Sequence, residues 1–196
     1  MAIESTFKNM VLTLFGVCLV SSAVLGGIYA VTKEPIDAAQ VAKINNAIGG
    51  VVPDFDNTPS AEKFTVGEGT KAATVYPAKK GNDIVGYAIE AATTKGFGGR
   101  ITIMVGFLPN GSVKDIAVIS HAETPGLGAK ISDGAGPFIT QFQGKNPGDG
   151  NFKLSVKKDG GNVDAITAST ITSRAFCDAV ENAYNAFLSV NKNKEE

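Results

Sequence analysis

The chain has 196 residues, 43% of them hydrophobic, and a formal net charge of −1. This length allows one globular domain with an appendage, and the nearly neutral charge gives no electrostatic reason to expect binding to nucleic acid. The two cysteines, Cys18 and Cys177, lie far apart and His121 is the single histidine, so zinc, iron–sulfur and multi-histidine metal sites are not predicted.

The N-terminal segment predicts a membrane-spanning helix. No charged residue occurs between Lys8 and Lys33, and the apolar stretch 10–31 contains 22 residues. At about 1.5 Å per residue it is about 33 Å long, which spans a hydrocarbon core of about 30 Å. A cleaved signal peptide is the alternative, but its apolar core normally has about 7 to 15 residues. We therefore expect an uncleaved anchor, with residues 1–9 as a short cytoplasmic tail and the large domain exported.

A second helix is expected over residues 32–50, leading from the membrane to the domain. Pro35 suits its first turn, and Gly49-Gly50 marks its end. Its apolar face consists of Val41, Ile44 and Ile48. The domain is expected over residues 51–190, followed by a solvated, disordered tail at 191–196.

Four strand patterns follow in the domain: TVYPA, DIVGYAIEAA, RITIMVGFL and VKDIAVIS. The third pattern alternates apolar residues from Ile101 to Phe107, as in a strand with one buried face. Asn110-Gly111 predicts the hairpin turn into the fourth strand. A second hairpin is predicted between FKLSVKK and NVDAI, around residues 159–161.

The last element is a helix with one apolar stripe, and it completes the predicted fold. The stripe has helical spacing and consists of Phe176, Val180, Ala183 and Phe187. The sequence therefore predicts an α+β domain, in which helices pack on an antiparallel sheet behind a single membrane anchor.

Several short motifs do not support a catalytic site. GLGAKI and GFGGRI lack the third glycine of a dinucleotide-binding fingerprint, and no serine lies in a G-x-S-x-G sequence. Ser120 and His121 are adjacent on a strand, so their side chains point to opposite faces. A hydrogen-bonded structural role is the better interpretation of His121.

Two stretches remain as candidate binding elements. In SHAETPGLGAKI, residues 120–131, prolines and glycines predict a tight loop whose backbone can approach a ligand, although a plain turn is equally compatible. In VDAITASTITSRAF, residues 163–176, a helix is expected to begin near Thr170 or Ile171. Ser169 or Thr170 can serve there as an ordinary cap, and the same helix end is also suited to an anion such as phosphate.

These stretches resemble the signatures of a known family. DAITASTIT resembles the flavinylation motif of FMN-binding-domain proteins, roughly D-x-x-[S/T]-G-A-[T/S]-x-T, and ETPGLG resembles their second signature. The N-terminal segment MVLTLFGVCLVSSAVLGGIYAVTKEPI and the segment VVPDFDN also resemble family sequences. In order, and over nearly the whole chain, the sequence resembles the G subunits of the Rnf ion-translocating ferredoxin:NAD⁺ oxidoreductase. The C subunits of the Na⁺-translocating NADH:quinone oxidoreductase are close relatives, but they are usually longer.

The resemblance implies FMN attached by a phosphoester bond to Thr170, with Ser169 as the alternative acceptor. The chain departs from the family pattern at Ala168, where glycine is usual, and at Ser169, where alanine is usual. Further residues are expected around the cofactor from both motifs. They are Glu123, Thr124, Gly126, Leu127, Gly128, Asp164, Thr167, Ala168, Ser169 and Thr172.

The resemblance also implies a function. It predicts a membrane-anchored electron-transfer subunit of a Na⁺- or H⁺-translocating oxidoreductase in the bacterial inner membrane, without turnover of its own. The expected partners are the other Rnf subunits and a flavin transferase, and the domain is expected on the periplasmic side. An anchored binding or scaffold module without flavin is the competing interpretation.

Overall fold

The computed structural model of the chain describes residues 6–133 and 136–195, and it describes side chains as far as residue 192. The chain divides into two compact units, with the boundary between Lys43 and Ile44. The secondary-structure elements are α1 (Phe7–Val51), β1 (Phe64–Val66), β2 (Ala73–Lys80), β3 (Asp83–Gly96), β4 (Gly99–Phe107), β5 (Val113–Ser120), α2 (Pro137–Thr140) and α3 (Thr170–Glu195). Short 3-10 turns lie at Gly69–Lys71, Gly128–Ser132 and Lys157–Asp159.

The helix α1 contains the predicted anchor and the predicted second helix without a break. Pro35 lies inside it and does not open a new helix. Thr32, one turn before Pro35, donates its hydroxyl to the carbonyl of Ile28 at 2.8 Å. Within the described residues, α1 is the one helix long and apolar enough to cross a membrane, with a mean hydropathy of 2.2 over its most apolar 18 residues. The expected tail 1–9 overlaps the helix from Phe7, and residues 1–5 lie outside the described part.

The sheet is a five-stranded antiparallel meander in the order β1-β2-β3-β4-β5. The four predicted strand patterns correspond to β2 through β5, so these strand predictions are confirmed. The predicted Asn110-Gly111 turn is present as well, since the Gly111 N–H donates to the carbonyl of Leu108 at 2.9 Å and Gly111 has a φ of +83°. The predicted α+β class is therefore confirmed.

One face of the sheet packs against α2 and α3. The apolar alternation of β4 contributes to this core, and all four stripe residues of α3 are buried there. The other face is covered by Ile48 and Val51 at the end of α1 and by Val52, the residue that follows it. A Cβ on Gly106 of β4 would lie 1.8 Å from the carbonyl oxygen of Val51, so only glycine permits this approach of helix to strand.

The predicted hairpin around residues 159–161 is wrong. Residues 152–166 form no paired strands, and a single isolated bridge joins Val156 to Val163 in parallel. The Lys157 N–H donates to the carbonyl of Val163 at 2.8 Å, and the Val163 N–H donates to that of Ser155 at 3.0 Å. Several backbone groups of this segment thus bond to one another within a compact loop, whose left-handed residue is Gly160 (φ +75°).

The C-terminal helix differs from the expected boundary. α3 continues to Glu195, so the backbone of residues 191–195, which we expected to be disordered, is helical. Residue 196 lies outside the described part of the chain.

Candidate functional site

The loop after β5 is held by a turn at Thr124–Leu127. The Leu127 N–H donates to the carbonyl of Thr124 at 3.2 Å, with Pro125 at the second position and Gly126 (φ +75°) at the third. This combination is the signature of a type II turn. The predicted tight loop is therefore present.

A second turn with the same hydrogen-bond pattern precedes α3. The Ser169 N–H donates to the carbonyl of Ile166 at 2.9 Å. Ala168 occupies the third position with a φ of 62°, and it is the one non-glycine residue with positive φ in the described part of the chain. Glycine or asparagine is preferred there, because a Cβ crowds the backbone in the left-handed region. The structure thus gives a physical reason for glycine at this place in the family pattern.

The helix α3 begins at Thr170, as predicted. Its first backbone hydrogen bond runs from the Ser173 N–H to the carbonyl of Ser169 at 3.0 Å. The N–H groups of Thr170, Ile171 and Thr172 therefore have no partner within the helix, and they point out of its N-terminal end. Together with the helix dipole, these groups favour an anion at this end.

The two turns face a common cavity of about 330 Å³. The first motif contributes Glu123, Thr124, Leu127 and Gly128, and the second contributes Ala168, Ser169, Thr170, Ile171 and Thr172; Phe97 completes the lining. The cavity volume is within the range of small-molecule sites. Thr170 is half-buried at its edge, so its hydroxyl is within reach of a ligand in the cavity.

Glu123 joins three segments around this cavity. Its carboxylate is buried, with 5% of the residue exposed. The Thr172 hydroxyl donates to Oε2 at 2.5 Å, and the Gly98 N–H donates to Oε1 at 2.9 Å. A Cβ on Gly128 would lie 2.6 Å from Oε2 and 2.8 Å from the Thr172 hydroxyl. The carboxylate thus links the turn between β3 and β4, the loop after β5 and the first turn of α3.

Three of the predicted cofactor residues do not line this cavity. Asp164 is exposed and forms an ion pair with Lys157 at 2.7 Å, and its N–H donates to the side chain of Gln141 at 2.6 Å. Asp164 and Thr167 instead line a neighbouring cavity of about 450 Å³ beside α2. Gly126 forms the exposed corner of its turn and is not among the lining residues.

Two lining residues, Phe97 and Ile171, are absent from the predicted set. Phe97 lies in the turn between β3 and β4, and 69% of it is exposed; Ile171 is 51% exposed. Ile171 could have been inferred, because it lies between two hydroxyl residues of the motif. For Phe97 the signal in the sequence is an aromatic residue among the glycines of GFGGRI, a segment that lacks the spacing of a dinucleotide-binding motif.

His121 has the structural role that the sequence favoured. Its Nδ1 accepts the Glu123 N–H at 3.1 Å, so in the neutral ring the proton lies on Nε2. Nε2 is 2.7 Å from the Ser132 hydroxyl and donates to it in this tautomer. A neutral imidazole in this arrangement cannot take the serine proton, so the pair fastens the loop and is not a hydrolytic dyad.

Charged groups along the next turns of α3 are already paired. Arg174 contacts Asp159 through two hydrogen bonds of 2.7 Å, and this bonding lowers the pKa of Asp159. Burial raises the pKa of the Cys177 thiol to about 12, so the thiol stays protonated and unreactive at neutral pH. The partial positive charge of the unpaired backbone N–H groups is therefore the feature that favours an anion at the N-terminal end of α3.

Comparisons with known proteins agree with these motifs. Residues 96–185 match the FMN-binding domain family. The chain is 35% identical over 164 residues to the G subunit of the ion-translocating oxidoreductase complex of Haemophilus influenzae (strain PittEE), covering 81% of this chain and 79% of that protein. It is 42% identical over 140 residues to the protein of the same name from Yersinia pestis, covering 68% and 67%. It is 34% identical over 176 residues to the G subunit of the proton-translocating ferredoxin:NAD⁺ oxidoreductase complex of Clostridium ljungdahlii, covering 90% and 86%.

Proposed function

The chain belongs to the family of G subunits of ion-translocating oxidoreductase complexes, and on this basis we propose that it carries FMN covalently on Thr170. The bond is a phosphoester between the Thr170 hydroxyl oxygen and the FMN phosphate. The protein is a membrane-anchored electron-transfer subunit. We propose further that its complex exchanges electrons between ferredoxin and NAD⁺ while it moves Na⁺ or H⁺ across the bacterial inner membrane.

The main support for attachment at Thr170 is the position of this residue at the N-terminal end of α3. Its hydroxyl lies at the edge of the cavity, beside backbone N–H groups that have no partner in the helix. A phosphate on this oxygen meets those donors and the positive end of the helix dipole. The other hydroxyls fit less well. Thr172 is committed to Glu123, Thr167 lines the neighbouring cavity, and Ser169 is buried.

Attachment requires a phosphoryl transfer. The Thr170 oxygen attacks the phosphorus that carries riboflavin in FAD, the pyrophosphate bond breaks, AMP leaves, and the hydroxyl proton passes to a base. We expect a partner enzyme, a flavin transferase that uses Mg²⁺, to supply this base and the metal. This chain supplies an accessible hydroxyl at a helix end that stabilises the product phosphate.

The residues around the cavity also suit the rest of the cofactor. Leu127 and Ile171 are exposed apolar side chains on its rim, and apolar lining with a few fixed polar groups is typical of cofactor sites. FMN supplies the redox chemistry, while the protein binds and orients it. A covalent bond prevents loss of the flavin from a domain on the periplasmic side, where free FMN is scarce.

In-gel fluorescence tests the attachment. The full chain, co-expressed with a flavin transferase, is expected to give a fluorescent band on a denaturing gel, and Thr170→Val is expected to abolish it. Thr65→Val is the control, because it removes an exposed hydroxyl on β1 that does not line the cavity, and it is expected to keep the band. A fluorescent Thr170→Val band would move the attachment to another residue, and a dark wild-type band would favour the scaffold module without flavin.

The related C subunits of Na⁺-translocating NADH:quinone oxidoreductases are the second candidate. The relatives from Haemophilus, Yersinia and Clostridium all have names of G subunits and are covered over 67% to 86% of their length. We therefore place the chain in an Rnf-type complex, where we expect its partners to be the other subunits.

A further inference from the structure

The turn between β3 and β4 presents Phe97 to the solvent at the cavity. Gly96 of β3 pairs with Gly99 of β4 across this turn, and Phe97 is 69% exposed. A large aromatic side chain in this state loses the free energy of burial, about 1.5 to 3 kcal/mol for a residue of its size. The exposure therefore calls for a partner that the described residues do not provide.

The turn is built to hold Phe97 in a fixed place. A Cβ on Gly98 would lie 2.0 Å from the carbonyl oxygen of Ala122, and one on Gly96 would lie 2.6 Å from Oε1 of Glu123. The Gly98 N–H also donates to this oxygen at 2.9 Å. These close approaches fasten the turn to the buried carboxylate, which in turn accepts the Thr172 hydroxyl of α3. Phe97 is thus positioned relative to the helix end that contains Thr170.

Exposed apolar side chains of the domain concentrate around this cavity. In the described part of the chain after α1, five large hydrophobic side chains are exposed: Phe64, Phe97, Leu127, Ile171 and Leu188. Three of these five, Phe97, Leu127 and Ile171, line the cavity. The cavity therefore joins an anion-binding helix end to an apolar rim that includes one aromatic ring. A ligand with a phosphate at one end and a flat aromatic ring system at the other matches both features.

We propose that Phe97 packs against the isoalloxazine ring of the FMN carried by Thr170 and forms one wall of its site. This inference rests on the proposed function, and it adds a ring-positioning residue from outside the two signature motifs. Contact between two aromatic rings adds about 0.5 to 1.5 kcal/mol beyond burial. The contact also removes the exposed Phe97 surface from water.

Flavin fluorescence tests the contact without any measurement of electron transfer. A tryptophan or tyrosine in van der Waals contact with an excited flavin transfers an electron to it and quenches its emission, whereas phenylalanine does not. In the flavinylated full chain, Phe97→Trp and Phe97→Tyr are expected to shorten the flavin fluorescence lifetime several-fold. Phe64→Trp is the matched control, because Phe64 is exposed on β1 and does not line the cavity, and its lifetime is expected to match wild type.

The outcomes separate this inference from the proposed function. If peptide mass spectrometry finds FMN on Thr170 but both Phe97 variants keep the wild-type lifetime, the contact is absent and the inference is overturned. If FMN is missing from Thr170 in the wild-type chain, the proposed function fails first. Phe97→Leu gives a second readout, since loss of the ring is expected to increase quenching of the flavin by iodide in solution. Unchanged iodide quenching in this variant also contradicts the proposal.

Discussion

Ala168 has a strained backbone conformation close to the proposed attachment site at Thr170. Its φ of 62° lies in the left-handed region, which costs a residue with a Cβ about 1 to 2 kcal/mol. The turn that contains Ala168 sets the start of α3, because the next residue, Ser169, accepts the first helical hydrogen bond. The strained residue therefore lies two positions before Thr170.

Ala168→Gly is expected to stabilise the protein. Relief of the left-handed strain outweighs the greater freedom of glycine in the unfolded chain, which costs about 0.4 to 1 kcal/mol, and leaves a net gain of about 0.5 to 1 kcal/mol. Thermal unfolding of the full chain in detergent should show a Tm higher by about 1 to 4 °C. Ala165→Gly is the control, because Ala165 is exposed in the same loop without positive φ, and it should lower Tm. A lower Tm for Ala168→Gly would contradict this account.

Among the individual residues, the sequence predicted the two motifs around the cavity, but not every residue that lines it. Seven of the ten predicted cofactor residues, together with Thr170, line the cavity, because each motif is contiguous in sequence and folds as one turn. Asp164 precedes the turn at Ile166–Ser169 and Thr167 is its second residue, and both line the cavity beside α2. Phe97 could not be placed, because its position depends on the tertiary hydrogen bond from the neighbouring Gly98 N–H to Glu123, which lies 25 residues after Gly98.

Among the elements, α3 combines the proposed attachment site with the main packing of the domain. Its buried stripe contacts the sheet, and Asp178 ties it to β3. The Thr93 hydroxyl donates to Asp178 at 2.6 Å, and Lys95 forms an ion pair with the same carboxylate. Burial raises the pKa of Asp178, but the hydrogen bonds from Lys95 and Thr93 and the charge of Lys95 outweigh it, so its pKa is lowered overall.

This lowered pKa predicts a stability that depends on pH. A carboxylate with a depressed pKa in the folded state contributes stability above its unfolded pKa of about 3.9, and this stability is lost as pH falls through the folded value. Asp178→Asn is therefore expected to cost about 1 kcal/mol at pH 7, since Lys95 is largely exposed and screened. The difference from wild type should shrink below about pH 4.

Tm measurements of the full chain at pH 7 and pH 3 test this expectation. Asp149→Asn is the control, because Asp149 is exposed and has no side-chain hydrogen bond or ion pair in the described part of the chain, and it should have little effect at either pH. An equal loss for Asp178→Asn at both pH values would show that the effect is not electrostatic.

The regular elements were the most predictable part of the fold. β2 through β5 and α3 show clear periodicity, and Asn-Gly marks one turn. The failed hairpin at 152–166 has the residue types of two short strands around a glycine turn, but several of its backbone hydrogen bonds form a compact loop instead of a strand ladder. The sequence did not predict that the second face of the sheet is buried, because this burial depends on the close approach of Val51 to Gly106.

For the whole molecule, the central feature is an apolar helix attached to a cofactor domain. The membrane anchor follows from the length and hydropathy of α1, and these were readable from the sequence. Its extension through Pro35 was not, since proline usually disfavours a helix interior. The side of the membrane that holds the domain remains the proposal that the short N-terminal tail suggested.

Cysteine labelling tests this orientation. Lys158→Cys in a Cys18→Ser background is expected to react with a membrane-impermeant maleimide in spheroplasts, because Lys158 is exposed on the domain. The native Cys177 is not expected to be labelled, since it is buried and its pKa is raised to about 12. Lys8→Cys in the same background should react only after the membrane is opened. The reverse pattern would place the domain in the cytoplasm.

The central claim is that FMN is esterified to Thr170, and peptide mass spectrometry tests it most directly. Trypsin cleaves after Lys158 and Arg174, so one peptide contains Thr170 and the neighbouring hydroxyls. In chain matured with a flavin transferase, this peptide should carry the mass of one FMN residue, fragment ions should place it on Thr170, and Thr170→Val should lack it. An unmodified peptide from a fully active complex would contradict the account.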